Sequence, residues 1–135
     1  MEKFQWSDKY NTTLKSIDRQ HKELFKHIDV FGLAIYKGVN KKDLEKLLQF
    51  LEQYVEHHFS SEEDLMRFNN YKDLKKHIEQ HDNFRELFAD FKHDFETRGG
   101  DLYLAIRLEK EIRNWWEYHV LNIDMMYVPY IKEQE

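Results

Sequence analysis

The sequence predicts an all-α protein, an up-down-up-down four-helix bundle with an N-terminal arm and a short C-terminal tail. Three observations carry this. Apolar residues recur at spacings of three and four over long stretches, the period of a helix with one buried face. One Pro and four Gly among 135 residues leave little provision for strands joined by tight turns. The few turn-forming residues fall between the periodic stretches, and short connections between long helices place neighbours antiparallel.

Residues 1–16 read as an arm of irregular polarity. The first helix carries Ile17, Leu24, Ile28, Phe31 and Ile35, and Gly38-Val39-Asn40 closes it. Asn40 is placed to cap the second helix, which runs through Leu44, Leu47, Leu48, Leu51, Tyr54, Val55, His58 and Glu62. Phe68-Asn69-Asn70-Tyr71 makes the next turn, because Asn tolerates left-handed backbone. The third helix carries Leu74, His77, His81, Phe84, Leu87, Phe88, Phe91 and Phe95, and Gly99-Gly100 stops it. Asp101 caps a fourth helix through Leu104, Ile106, Leu108, Ile112, Trp115, Trp116 and His119, and Pro129 lies in the tail. The length suits one domain over residues 1–135, with no internal repeat.

Composition excludes several functions. A net charge of −5, with lysines interspersed among acids, gives no basic stripe for nucleic acid. The absence of cysteine removes disulfides, iron–sulfur clusters and thiolate chemistry. The first residues lack the apolar core of a signal peptide, and no apolar run approaches the roughly 20 residues of a membrane span. The expectation is a cytoplasmic protein with neither membrane nor nucleic acid as partner. Aromatic residues, at 16%, point to a ring-lined interior.

The chemistry lies in the histidines. His58 and Glu62, and likewise His77 and His81, stand four apart and share a helical face. His21 and His119 lie among apolar neighbours on the first and fourth helices. A single core histidine is normally a hydrogen-bonded structural residue. Five facing inward would each need a partner, at about 1–3 kcal/mol for every one left unsatisfied. Imidazole with carboxylate and no thiol favours iron, manganese or zinc, and bridging carboxylates favour a pair of metals. Asp124, an isolated acid before Met125-Met126-Tyr127-Val128, is a further candidate. It stands five residues from His119, a poor spacing for one regular helical face. Either the helix ends or loosens around Leu121-Asn122-Ile123, or only one of the two is a ligand. His27, His57 and His93 are expected on the surface, and Glu63 and Asp64 in solvent.

These residues resemble those of the hemerythrin family, in its single-domain bacterial form. The resemblance spans nearly the whole chain: Phe4-x-Trp6, Ile17-Asp18-x-Gln20-His21, His58-Phe59-x-x-Glu62-Glu63-x-x-Met66, His77-x-x-x-His81 and Trp116-x-x-His119-Val120-x-x-x-Asp124, in family order. It implies a non-haem di-iron centre, two Fe2+/Fe3+ ions with an oxo or hydroxo bridge, that binds O2 reversibly for storage, delivery or scavenging. By resemblance His77, His81 and His119 hold one iron, His21 and His58 the other, and Glu62 and Asp124 bridge them. Of about twelve positions on two octahedral irons, these donors and a shared oxygen leave about one open, on the iron with two histidines. Alternatives from the same resemblance are O2 or redox sensing through a separate partner protein, a di-iron oxidase or peroxidase, and iron storage. Histidine dominance disfavours the carboxylate-rich enzyme sites. The chain departs from its relatives at Thr12-Thr13, where many carry Gly, and at Asn70-Tyr71-Lys72, where Gly and Pro are common.

Overall fold

The computed structural model describes residues 3–131. Three long helices, α1 (Lys15–Tyr36), α2 (Lys41–Phe68) and α3 (Leu74–Arg98), are joined by short turns. The fourth rod of the bundle is continuous helical backbone with a varying pitch. It comprises α4 (Leu102–Arg107), a π-helical segment (Leu108–Arg113), α5 (Asn114–Tyr118), a second π-helical segment (His119–Asp124) and α6 (Met125–Tyr127). One 3-10 turn in the arm spans Asp8–Tyr10, and another, holding Pro129, spans Val128–Tyr130. No strand occurs among the described residues. α1 packs against α2 and the fourth rod, and α3 against the same two, which closes the four-helix bundle. The arm's first two residues and the tail beyond Ile131 lie outside the described residues.

The caps fall where the sequence places them. The Asn40 side chain accepts the Asp43 N–H at 2.9 Å, and Asp101 accepts the Leu104 N–H at 3.0 Å. Between α3 and α4, Gly99 has φ of 75°, a left-handed conformation that ends the helix without a Cβ penalty. At Gly100 a Cβ would come within 2.3 Å of Leu44 Cδ1, so this turn presses directly on the start of α2. Asn70, with φ of 55°, turns α2 into α3 in the manner its amide side chain permits.

The arm is anchored to the bundle. Phe4 and Tyr10 are buried against Phe25, with ring centroids 4.1 and 5.0 Å away. Asp18 fastens the arm's end, accepting both the Thr12 N–H and the Thr12 hydroxyl at 2.9 Å. Thr13 takes φ of 71°, and the Asn11 side chain holds its N–H at 2.9 Å.

The apolar core divides in two. The larger cluster includes Leu24, Phe31, Leu51, Phe59, Phe84, Leu108 and Trp116, and the smaller gathers Leu14, Ile17, Met66, Tyr71 and Tyr127. Several candidate ligands fall between them along the chain: His21 between Ile17 and Leu24, Glu62 between Phe59 and Met66, Asp124 between Val120 and Tyr127. The histidines therefore form a polar layer across the bundle, with hydrocarbon on both sides.

Candidate metal centre

All seven sequence-derived candidates are buried, none more than 3% exposed, and all meet in that layer. Two overlapping groups of ligand-type side chains result. One joins Glu62, His77, His81, His119 and Asp124, the other His21, His58, Glu62 and Asp124, with donor atoms in each group within 4.8 Å of one another. Glu62 and Asp124 belong to both.

Their oxygens are shared out in different ways. Asp124 turns Oδ2 to His21 Nε2 at 3.1 Å, and Oδ1 to the Nε2 atoms of His77 and His119 at 3.1 and 3.0 Å. Glu62 Oε1 lies between His58 Nε2 at 3.2 Å and His81 Nε2 at 3.3 Å. Glu62 Oε2 accepts the Tyr127 hydroxyl at 2.7 Å.

These close approaches are not hydrogen bonds. Nε2 of all five histidines, Glu62 Oε1 and both Asp124 oxygens are buried with no hydrogen-bond partner. Leaving so many polar atoms unsatisfied would cost about 1–3 kcal/mol each. A cation with bonds of about 2.1 Å to two donors at right angles sets those donors about 3.0 Å apart. The spacing fits donors that share a metal, and the donor set fits first-row ions.

Other contacts fix which nitrogen faces inward. His81 Nδ1 lies 2.7 Å from a Glu63 carboxylate oxygen, and His58 Nδ1 lies 2.7 Å from the Gln20 amide oxygen. Both oxygens can only accept, so each Nδ1 carries the proton and each Nε2 offers its lone pair to the site. Stacked rings hold the imidazoles. Phe59 covers His81 at 3.9 Å and Trp115 covers His119 at 4.4 Å, each nearly parallel.

The electrostatics follow from the same neighbours. Burial opposes ionisation of Glu62 and Asp124, but the surrounding histidines outweigh it and hold both carboxyls below their usual range. Burial also opposes a charge on His81. The Glu62 and Glu63 carboxylates beside it overcome this and push the pKa up to about 9. His58 and His119 are pushed down by burial, which keeps them neutral. Burial and the nearby carboxylates raise the Tyr127 hydroxyl well above its ordinary value, so it keeps its proton.

Three expectations are corrected or resolved. Glu63 is not in solvent: its side chain is 17% exposed, because the flank of α2 it occupies faces α3 and His81. His27 is half-buried between the Phe50 and Tyr54 rings, at 4.8 and 5.3 Å, whereas His57 and His93 are exposed as expected, and Asp64 is too. The backbone between His119 and Asp124 widens without ending. Its π-helical i→i+5 bonding brings residues five apart onto one face, so both reach the site. The sequence reading missed Gln20, Glu63 and Tyr127 as working neighbours. The first two stand beside ligands in the chain, which is the available signal, while Tyr127 is hidden in an apolar run.

Residues 12–131 match the family model of the hemerythrin HHE cation binding domain. The chain belongs to the hemerythrin family. The bacteriohemerythrin of Clostridium acetobutylicum is 30% identical over 129 residues, which cover 93% of this chain and 98% of the relative. The myohemerythrin of Theromyzon tessulatum is 28% identical over 126 residues, covering 93% and 92%. A crystal structure of a leucine-to-alanine mutant of hemerythrin superposes with a TM-score of 0.83 at 26% identity, covering 97% of this chain and 98% of that one. The hemerythrin family binds O2 at a non-haem di-iron centre, and the buried His/Glu/Asp layer is suited to such a centre. No described helix is long and apolar enough to cross a membrane.

Proposed function

We propose that this hemerythrin-family protein binds O2 reversibly at two iron ions held by His21, His58, Glu62, His77, His81, His119 and Asp124. The observation that carries the reading is the convergence of eight unpartnered, buried donor atoms on one layer of the bundle. His77, His81 and His119 hold one ion, and His21 and His58 hold the other. Asp124, with one oxygen turned to each set, and Glu62, whose Oε1 lies between His58 and His81, belong to both sets and would serve both ions. When bound, the iron pair supplies two electrons to one O2 and recovers them on its release.

The chain's contribution is to position, to enclose and to withhold protons. The side with two histidines offers fewer protein donors, and a small ligand would find room there. Phe25, Phe59 and Trp116 are buried beside the histidines and exclude water, which favours release of O2 over its reduction. The acids and bases of the layer are all engaged. The carboxylates face the metals, and Tyr127 keeps its proton on Glu62 Oε2. This supports a binding protein over an oxidase or peroxidase, which needs a proton donor at the reacting oxygen. The test is an absorption spectrum after anaerobic loading with iron(II). A visible band should grow under O2 and fade under argon. A band that never fades, or steady O2 consumption with a reductant, would favour the enzyme.

A further inference from the structure

The two sets of histidines are not backed alike. Behind His81 stands a carboxylate, Glu63, at 2.7 Å, and behind His58 stands a neutral amide, Gln20, at the same distance. Nδ1 of His21 and of His119 has no partner. Glu63 has a cation of its own, since Arg85 Nη2 lies 3.5 Å from its carboxylate. Arg85 also pairs with Glu56 and Asp82, and its guanidinium sits 4.9 Å from the centre of the Phe59 ring that covers His81. A path of charge thus runs from the α2–α3 surface to one ligand of one metal position.

We propose that Glu63 is a positioning residue that makes the two metal positions electronically unequal. Its negative charge, delivered through His81, makes the position of His77, His81 and His119 the better home for ferric iron, and Arg85 moderates that preference. The inference rests on the di-iron reading above and deepens it.

The physical reason is the direction in which the shared proton is drawn. A carboxylate pulls the Nδ1 proton of His81 toward itself and leaves more negative charge on Nε2, where a metal is bound. Extra negative charge on a ligand favours the more highly charged ion. The Gln20 amide fixes the same tautomer on His58 but adds no charge. Phe59 and the half-buried setting of Glu63 keep bulk water away, so the charge is screened less than at the surface. Arg85 opposes it from the far side. Sequence neighbours alone do not suggest this asymmetry, because Glu63 and Gln20 come from different helices.

Three variants with opposite expected signs test it: Glu63→Gln, Arg85→Gln and Gln20→Glu. The readout is the reduction potential of the iron-loaded protein, measured by spectroelectrochemistry without O2. Glu63→Gln should weaken the preference of the His81 position for ferric iron about tenfold, raising its potential by about 59 mV for one electron. Arg85→Gln should lower that potential, and Gln20→Glu should lower the potential of the other position. A second readout uses zinc-loaded protein, which is diamagnetic. The His81 Nδ1 proton should resonate far downfield and move upfield in Glu63→Gln. Equal or absent shifts for Glu63→Gln and Arg85→Gln would overturn the proposal. If Glu63→Gln fails to hold metal, Arg85→Gln, which alters no group touching a ligand histidine, must still lower the potential. None of these measurements needs O2, so failure of reversible binding and failure of this proposal are separate results.

Discussion

His119 and Asp124 stand five residues apart, yet His119 Nε2 lies 3.0 Å from Asp124 Oδ1 because the backbone between them is π-helical. In a regular α-helix they would diverge, and the layer would lose the one carboxylate that turns an oxygen to each histidine set. The widened turn is therefore part of the site's construction, as π-helical turns often are at functional positions.

From this sharing follows a pattern of metal loss. Asp124→Ala should remove both irons, since both groups lose a donor. His21→Ala should strip only the position it shares with His58, leaving about one iron per chain. His57→Ala and His93→Ala, in exposed positions, should leave iron content unchanged. Metal analysis after iron loading distinguishes the three classes. Equal iron loss in His21→Ala and Asp124→Ala would contradict the bridging role.

In the metal-free protein pH dependence has a definite sign. The pKa of His81 is raised from 6.5 to about 9, so its contribution to stability is full below pH 6.5 and disappears as pH rises through about 9. His21, where Asp124 outweighs burial, shifts in the same direction. The metal-free protein should therefore lose thermal stability between pH 6.5 and 9. Metal must displace the His81 proton, so metal affinity should rise over the same window. Thermal melts with and without zinc across that range provide the measurement. Metal-free stability that rises with pH there would show that the neighbouring carboxylates do not hold that proton.

How much of this was legible in the sequence depends on local geometry. His58 with Glu62 and His77 with His81 could be read because four-residue spacing on an α-helix needs no tertiary knowledge. Asp124 could not be secured by spacing, since the change of pitch that brings it into register follows from the whole bundle. Glu63 was misplaced because it stands in the acidic run Glu62-Glu63-Asp64, which reads as a solvated flank although Phe59 and Met66 lie one turn away on either side. What covers it is the charged edge of α3. Arg107 escaped notice for a similar reason. This buried cation is satisfied by Asp90 and Asp94 on α3 and by Glu111 in the π-helical segment that follows it. Only Glu111 stands in a local sequence relation to it.

Thr13 offers a test of the arm that leaves the metal layer alone. A non-glycine residue in left-handed backbone costs roughly 1–2 kcal/mol, and glycine returns about 0.5–1 of that as unfolded-state entropy. Thr13→Gly, at an exposed position with φ of 71°, should stabilise the protein by about 0.5–1 kcal/mol in urea denaturation. Asn70→Gly should gain less, because Asn tolerates this conformation. A destabilised Thr13→Gly would show that the hydroxyl or methyl makes an unrecognised contact.

The most direct test of the central claim is the stoichiometry and reversibility of O2 uptake by the iron(II)-loaded protein, followed with an oxygen electrode through an argon purge. The account requires about one O2 for each pair of irons, returned to the gas phase on purging and taken up again on re-exposure. Uptake that continues with added reductant, or O2 that never returns on first purging, would contradict it.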